Sequence, residues 1–236
     1  MKRVVFKFIV IICFTVVSRS SYAQKIQIIE KNDNYIKKEK VDKFEFINKN
    51  LSLTNCEKIA VLKGYSTNTG KIILFRKFKK MSNKFGANSY FIDNVEHASD
   101  TIYVEISVYY LDNATLEDNL KMYPQNMVYV FGDFDVKKGK TMKFKINGEN
   151  VELAPFEYIE SQNEVGKYFI VSIGGFLGAK VDIIGREERL PEYVALGGAG
   201  VGSGNSGQSV SFHSGEIYPL KMNFGQFLIH ILKKKE

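Results

Sequence analysis

KIILFRKFKKMSNKFG, residues 71–86, and TIYVEISVYYL, residues 101–111, decide the fold class of this chain, because each carries one clear period. In the first, Leu74, Phe78, Met81 and Phe85 recur at spacings of four, three and four, which stacks them on one face of a helix. Arg76, Lys77, Lys79, Lys80 and Lys84 fall mostly off that face, and Gly86 stands where a left-handed terminating residue is wanted. In the second, Ile102, Val104, Ile106, Val108 and Tyr110 alternate with Tyr103, Glu105, Ser107 and Tyr109, the period of a strand with one face buried. A helix from Lys71 to Phe85 and a strand from Thr101 to Leu111 follow.

Working outward, Lys58 to Lys63 reads as a strand closed by Gly64 and a polar turn of Ser66, Thr67, Asn68, Thr69 and Gly70, and Ser89 to Asn94 as a second strand pairing with the third. Strand, helix and hairpin make a small α+β unit. Asp112 to Pro124 is a connector: Thr115 with Asp118 resembles a capping box, and Leu116, Leu120 and Tyr123 repeat at helical spacing. The segment from Cys56 to Leu111, with its helix ending Lys84-Phe85-Gly86-Ala87-Asn88, resembles the small envelope module of RcsF-type and YbjQ-like proteins. That resemblance covers about a quarter of the chain. The RcsF type depends on several cysteines paired as disulfides; a redox or signalling role does not carry over to a segment holding Cys56 alone.

Beyond Pro124 the pattern turns to β. Met127 to Phe131 is one strand; Met142, Phe144 and Ile146, then Asn147-Gly148, then Val151 and Leu153 read as a hairpin with a type I′ turn. Tyr168–Ile173, Ala179–Ile184, 209–213 and Phe227–Leu232 supply further strands. The fold class expected is therefore α+β: a small strand-helix-hairpin module over 51–124, preceded by a lead-in (24–50) with a possible edge strand. It is followed by an antiparallel β-rich sandwich or barrel domain over 125–236.

The first 23 residues carry basic Lys2 and Arg3, an apolar core, and Ser21 and Ala23 at the positions a signal peptidase admits, so a secretory signal cleaved after Ala23 is expected. The apolar run of ten residues from Phe8 to Val17 falls short of the about twenty that span a bilayer, so no stable membrane anchor is expected after cleavage. Export would place the protein in the periplasm or outside the cell. Removal of the signal takes Lys2, Arg3, Lys7 and Arg19 with it and lowers the formal net charge from +7 to +3. It also removes Cys13, leaving Cys56 as a solitary thiol that cannot form an intrachain disulfide.

Little in the chain announces chemistry. Gly202-Ser203-Gly204-Asn205-Ser206-Gly207, inside the glycine run 197–207, has the letters of a dinucleotide fingerprint but is followed by a strand-like segment where a helix is needed. Gly202, Gly204 and Gly207 are better read as a loop, either a plain connection or a flap over a binding surface. Asp133 and Asp135 would share one strand face and could hold a cation or act as an acid and base pair, or simply mark a polar strand end beside Gly132. Glu187 and Glu188 are a second carboxylate pair. His97, His213 and His230 have no metal-ligand spacing, and neither metal nor cofactor is expected. The basic face of the 71–85 helix is an anion or nucleic-acid site in one reading and a solvated exterior in the other. With no aromatic interleaved among its charges on the exposed side and a mature charge near balance, the second is preferred and no nucleic acid is expected. The function expected is that of an exported, non-enzymatic binding or structural protein with an envelope or extracellular partner. The alternative is a β-fold hydrolase using Asp133, Asp135, Glu187 or Glu188 under the glycine loop.

Overall fold

The computed structural model describes residues 25–37, 43–54, 56–135, 139–174, 178–197 and 215–236, and the backbone alone of 200–203 and 210–213. The expected signal segment, and Cys13 within it, lie outside the described residues. The described residues form an α+β architecture rich in strands, with three helices.

The first half forms a five-stranded sheet from β1 (Gln27–Lys31), β2 (Glu45–Phe46), β3 (Glu57–Thr67), β4 (Ser89–Ala98) and β5 (Thr101–Tyr110), in the order β1-β3-β5-β4-β2. Helix α1 (Lys71–Phe85) connects β3 to β4 with the bounds its period predicts. It buries Leu74, Phe75 and Phe78 against the sheet, with Met81 and Phe85 at the margin. Gly86, at φ 83°, donates to the Asn83 carbonyl while Ala87 donates to that of Ser82, closing the last turn.

Gly64 does not end β3, which continues to Thr67. A Cβ there would lie 2.7 Å from Ile26 Cδ1 and 2.8 Å from Leu74 Cδ1, so the missing side chain is what lets α1 and the lead-in close on the strand. On β5 the expected face is buried, but Ser107 and Tyr109 on the other face are buried too. Ile47, Leu111 and Leu116 cover Tyr109 in a small second cluster. Helix α2 (Asn113–Lys121) starts earlier than the expected capping box, since the Asp112 carboxylate accepts from the Thr115 amide at 2.8 Å and is the true cap. Its buried Asn119 holds the lead-in, donating to the Phe46 carbonyl at 2.8 Å and accepting from the Asn48 amide at 2.7 Å.

In the second half, β6 (Met127–Phe131), β9 (Glu157–Gln162), β12 (Glu192–Gly197), β15 (Glu216–Pro219) and β16 (Lys233–Lys234) form a sheet in the order β15-β12-β6-β9-β16. Strands β7 (Met142–Ile146), β8 (Glu149–Leu153), β10 (Tyr168–Ile173) and β11 (Ala179–Ile184) form another, ordered β11-β10-β7-β8. Asn147 (φ 50°) and Gly148 (φ 91°) make the expected turn between β7 and β8. The purely antiparallel expectation is corrected: β6 pairs with β12, and β9 with β16, in parallel. Phe227–Leu232, expected as a strand, is the end of helix α3 (Met222–Ile231). Apolar on nearly every position, it lacks a period that could distinguish the two states. Gly225 sits at the contact of α3 with β12, where a Cβ would lie 2.2 Å from Tyr193 Cδ1.

Strand β6 is buried on both faces, and the period of two divides it between two cores. Val128 and Val130 join Phe144, Leu153, Phe169 and Val171 in a cluster with the β7–β11 sheet. Tyr129 and Phe131 join Tyr193 and Phe227 in a cluster that extends to Phe78 of α1 and Tyr90 of β4. That cluster draws on residues from both sides of Pro124, the expected module boundary.

Candidate functional site

The two aspartates expected on one strand face stand past the end of β6, in a loop that leads away from Gly132. Asp133 makes one long contact, accepting from the Lys140 amide at 3.4 Å, while its own carbonyl accepts from the Phe156 amide at 2.9 Å. Asp135 does something its position gives no hint of. Its Oδ1 accepts from the backbone amides of both Gly70 and Lys71, the latter at 2.6 Å, across 64 residues of sequence. Helix α1 begins on Gly70, at φ 116°, a residue with no side chain to cap the helix. Its first amides are therefore satisfied by a carboxylate from the other half of the chain, placed where the helix dipole favours negative charge.

The Lys71 side chain is fully buried at this junction. Its Nζ donates to the Asn68 carbonyl at 2.9 Å and lies 4.3 Å from the centre of the Phe156 ring. Burial lowers the Lys71 amine to a pKa of about 8, partly opposed by the negative charge of Asp135. With no exposed face, this amine is a component of the joint between α1 and the 133–156 region.

The remaining sequence candidates do not gather around it. Glu187 and Glu188 occupy an exposed turn that is tied to the start of β6, because Asn126 donates through its side chain to the Arg186 carbonyl and through its amide to that of Arg189. Asp133 and Asp135 follow the end of β6, so the five-residue strand, about 17 Å long, separates the two carboxylate pairs. Gly202 is not in a loop. It lies in β13 (Gly200–Ser203), opposite Ser211 in β14 (Val210–His213), and backbone pairing of this kind needs no side chain. Gly204 and Gly207 lie outside the described residues.

His97 is exposed on β4. His230, on α3, packs 4.6 Å from the Phe46 ring with Nδ1 2.8 Å from the Gln226 carbonyl, and burial lowers its pKa. The described residues contain no group of three His, Cys, Asp or Glu side chains placed to hold a metal. Cys56 is half-buried against the Tyr109–Leu116 cluster, and its thiol is raised by burial and then by Asp112. No helix among the described residues is long and apolar enough to cross a membrane.

What the structure adds to the sequence is a groove on α1. Lys37 of the lead-in lies beside the exposed basic face of the helix, and a shallow, open concavity of about 500 Å³ there is lined by Lys37, Arg76, Lys79, Lys80, Asn83 and Lys84. No carboxylate is among these residues, and α1 itself contains none. Lys79 also acts at a distance on the half-buried Glu45, whose carboxyl is raised by burial and drawn back by Lys43 and Lys79. Asn83 contributes a buried Oδ1 that has no hydrogen-bond partner among the described residues. Such an atom is costly and therefore uncommon in folded proteins. A second concavity, of about 430 Å³ on the outer face of β7, β8 and β10, differs in that Lys143 there is paired with Glu152 at 3.0 Å.

Fold and site together define a β-rich α+β protein whose most pronounced chemical feature is a cationic groove along one helix. Compared with known proteins, the chain matches no family model, no curated protein and no solved structure.

Proposed function

We propose that this is an exported, non-enzymatic binding protein that holds an anionic ligand in the α1 groove, its second half a two-sheet sandwich that supports the helix. The observation that carries this reading is the gathering of Lys37, Arg76, Lys79, Lys80 and Lys84 along one groove with no acid among its described lining residues. Like charges at helix spacings of three and four destabilise a helix by a few tenths of a kcal/mol per pair, a cost that a bound anion removes. The carboxylates of the hydrolase reading support the binding reading from the other direction. Asp135 is committed to the first amides of α1, and the two acidic pairs stand at opposite ends of β6.

The test is direct titration of the purified exported protein with inorganic pyrophosphate and with a sulfated polysaccharide, followed by calorimetry. Binding that weakens at least tenfold in Arg76→Ala/Lys80→Ala is expected. Wild-type and variant titrations that coincide would remove the proposal.

A further inference from the structure

The groove has a direction as well as a sign. Arg76, Lys80 and Lys84 follow one another at intervals of four residues, which places them in one row on the exposed side of α1. Each step advances about 6 Å along the helix axis, so the row spans about 12 Å, more than a single phosphate group can bridge. Lys37, from the lead-in, lines the same open concavity, so the charges lie along a track instead of forming a cup. Resting on the anion-binding reading above, we infer that the ligand is a linear phosphate polymer lying along α1, with successive phosphates met by Arg76, Lys80 and Lys84 and flanked by Lys37.

One feature defines the polymer further. The described lining residues include no aromatic ring. Proteins that hold single-stranded nucleic acid combine a cationic track with aromatic platforms on which bases stack, so this track suits a chain with charge and no bases.

The experiment compares long-chain inorganic polyphosphate, poly(glycerol phosphate), inorganic phosphate, single-stranded DNA and vesicles of anionic phospholipid on the full exported protein over a range of salt. Four cations acting on a linear polyanion release counterions with a slope of log K against log salt of about −3, a loss of about 50-fold between 50 and 200 mM salt. Arg76→Ala/Lys80→Ala halves the number of contacts and brings that slope to about −1.4. These exposed residues leave the core intact, and an unchanged circular dichroism spectrum verifies it. Lys143→Ala/Lys145→Ala, on the other concave face, leaves both slope and affinity unchanged.

One of the two polymers should bind about 100-fold or more tightly than inorganic phosphate, because linked phosphates engage with a high effective concentration. Inorganic phosphate binding as tightly as the polymers would overturn the polymer assignment while leaving the anion groove standing. Binding to vesicles but to neither polymer, or tighter binding to single-stranded DNA than to both, also overturns it. If no anion binds, or if the α1 double variant behaves as wild type, the proposed function fails with it.

Discussion

Replacing Asp135 by alanine tests the most consequential contact in the molecule. The carboxylate accepts from the amides of Gly70 and Lys71 at the start of α1, where Gly70 offers no cap of its own. Loss of a capping side chain costs about 0.5–2 kcal/mol. Hydrogen bonds to a charged group contribute about 1.5–3 kcal/mol, and these two figures overlap because they describe the same two bonds. Asp135 also supplies the negative charge that favours the protonated form of the buried Lys71 amine. An expected loss of about 2–3 kcal/mol follows, or about 4–12 °C in melting temperature for a chain of this size. Asp135→Asn keeps an oxygen acceptor of a residue type that caps well, and should cost only about 1 kcal/mol. Asp133→Ala removes only a 3.4 Å contact and should fall within about 0.5 kcal/mol of wild type. Urea denaturation followed by far-ultraviolet circular dichroism measures all three. If Asp135→Ala stays within about 0.5 kcal/mol of wild type, or if Asp133→Ala matches it, the capping argument is refuted.

Lys71→Met should alter how stability depends on pH. The folded-state amine titrates near 8, below its ordinary 10.5, so between those values the unfolded chain holds a proton that the folded one has released. Stability contributed by this group therefore rises from pH 8 to 10.5, and the difference between wild type and Lys71→Met in urea midpoint should grow in favour of wild type over that window; a constant difference would contradict it. Gly225→Ala places a methyl carbon 2.2 Å from the ring of Tyr193, which is buried and stacked on Tyr129 at 5.1 Å, so a loss of about 3 kcal/mol is expected in the same denaturation assay. A stable Gly225→Ala protein would show that α3 and β12 can separate without cost. Cys56, whose thiol is raised by burial and by Asp112, should react with a disulfide reagent at pH 8 more slowly than an unstructured cysteine peptide, and equal rates would refute that assignment.

Local periodicity made α1, β5 and the β7–β8 hairpin legible, since each buries a face that recurs in the sequence at its own spacing, whereas β6 was legible as a short apolar run. Legibility failed where tertiary contact decides. The stretch Phe227–Leu232 at the end of α3 carries one polar residue, His230, too few to mark a helical face, and from sequence it reads as readily as a strand. Gly64 reads as a strand end, although its role is to admit Leu74 and Ile26. The basic residues of α1 were visible as charges, but Lys37, which lines the same concavity, lies 39 residues before Arg76. No local signal connects those positions. Asp135 was singled out for possible chemistry on the strength of its neighbour Asp133, whereas the glycine at the start of α1 was the more informative clue: a helix that begins on a residue without a side chain needs its cap from elsewhere.

That cap also bears on the groove. The buried face of α1 is fixed by Leu74, Phe75 and Phe78, which set its height above the sheet and its rotation. Apolar contacts of this kind are non-directional and leave sliding along the helix axis weakly opposed. The bonds from Asp135 to the Gly70 and Lys71 amides are directional and act at one end of the helix, so they fix the axial position that packing leaves soft. Lys37 approaches from a different segment, and its distance from Arg76, Lys80 and Lys84 depends on that axial position. Uncapping α1 should therefore weaken anion binding even though Asp135 lies outside the groove and carries the sign of charge that a bound anion would repel. Asp135→Asn separates the two effects: it preserves the acceptor and removes the charge. A purely electrostatic role would make this variant bind more tightly than wild type, and a positioning role would leave its affinity close to wild type while that of Asp135→Ala falls.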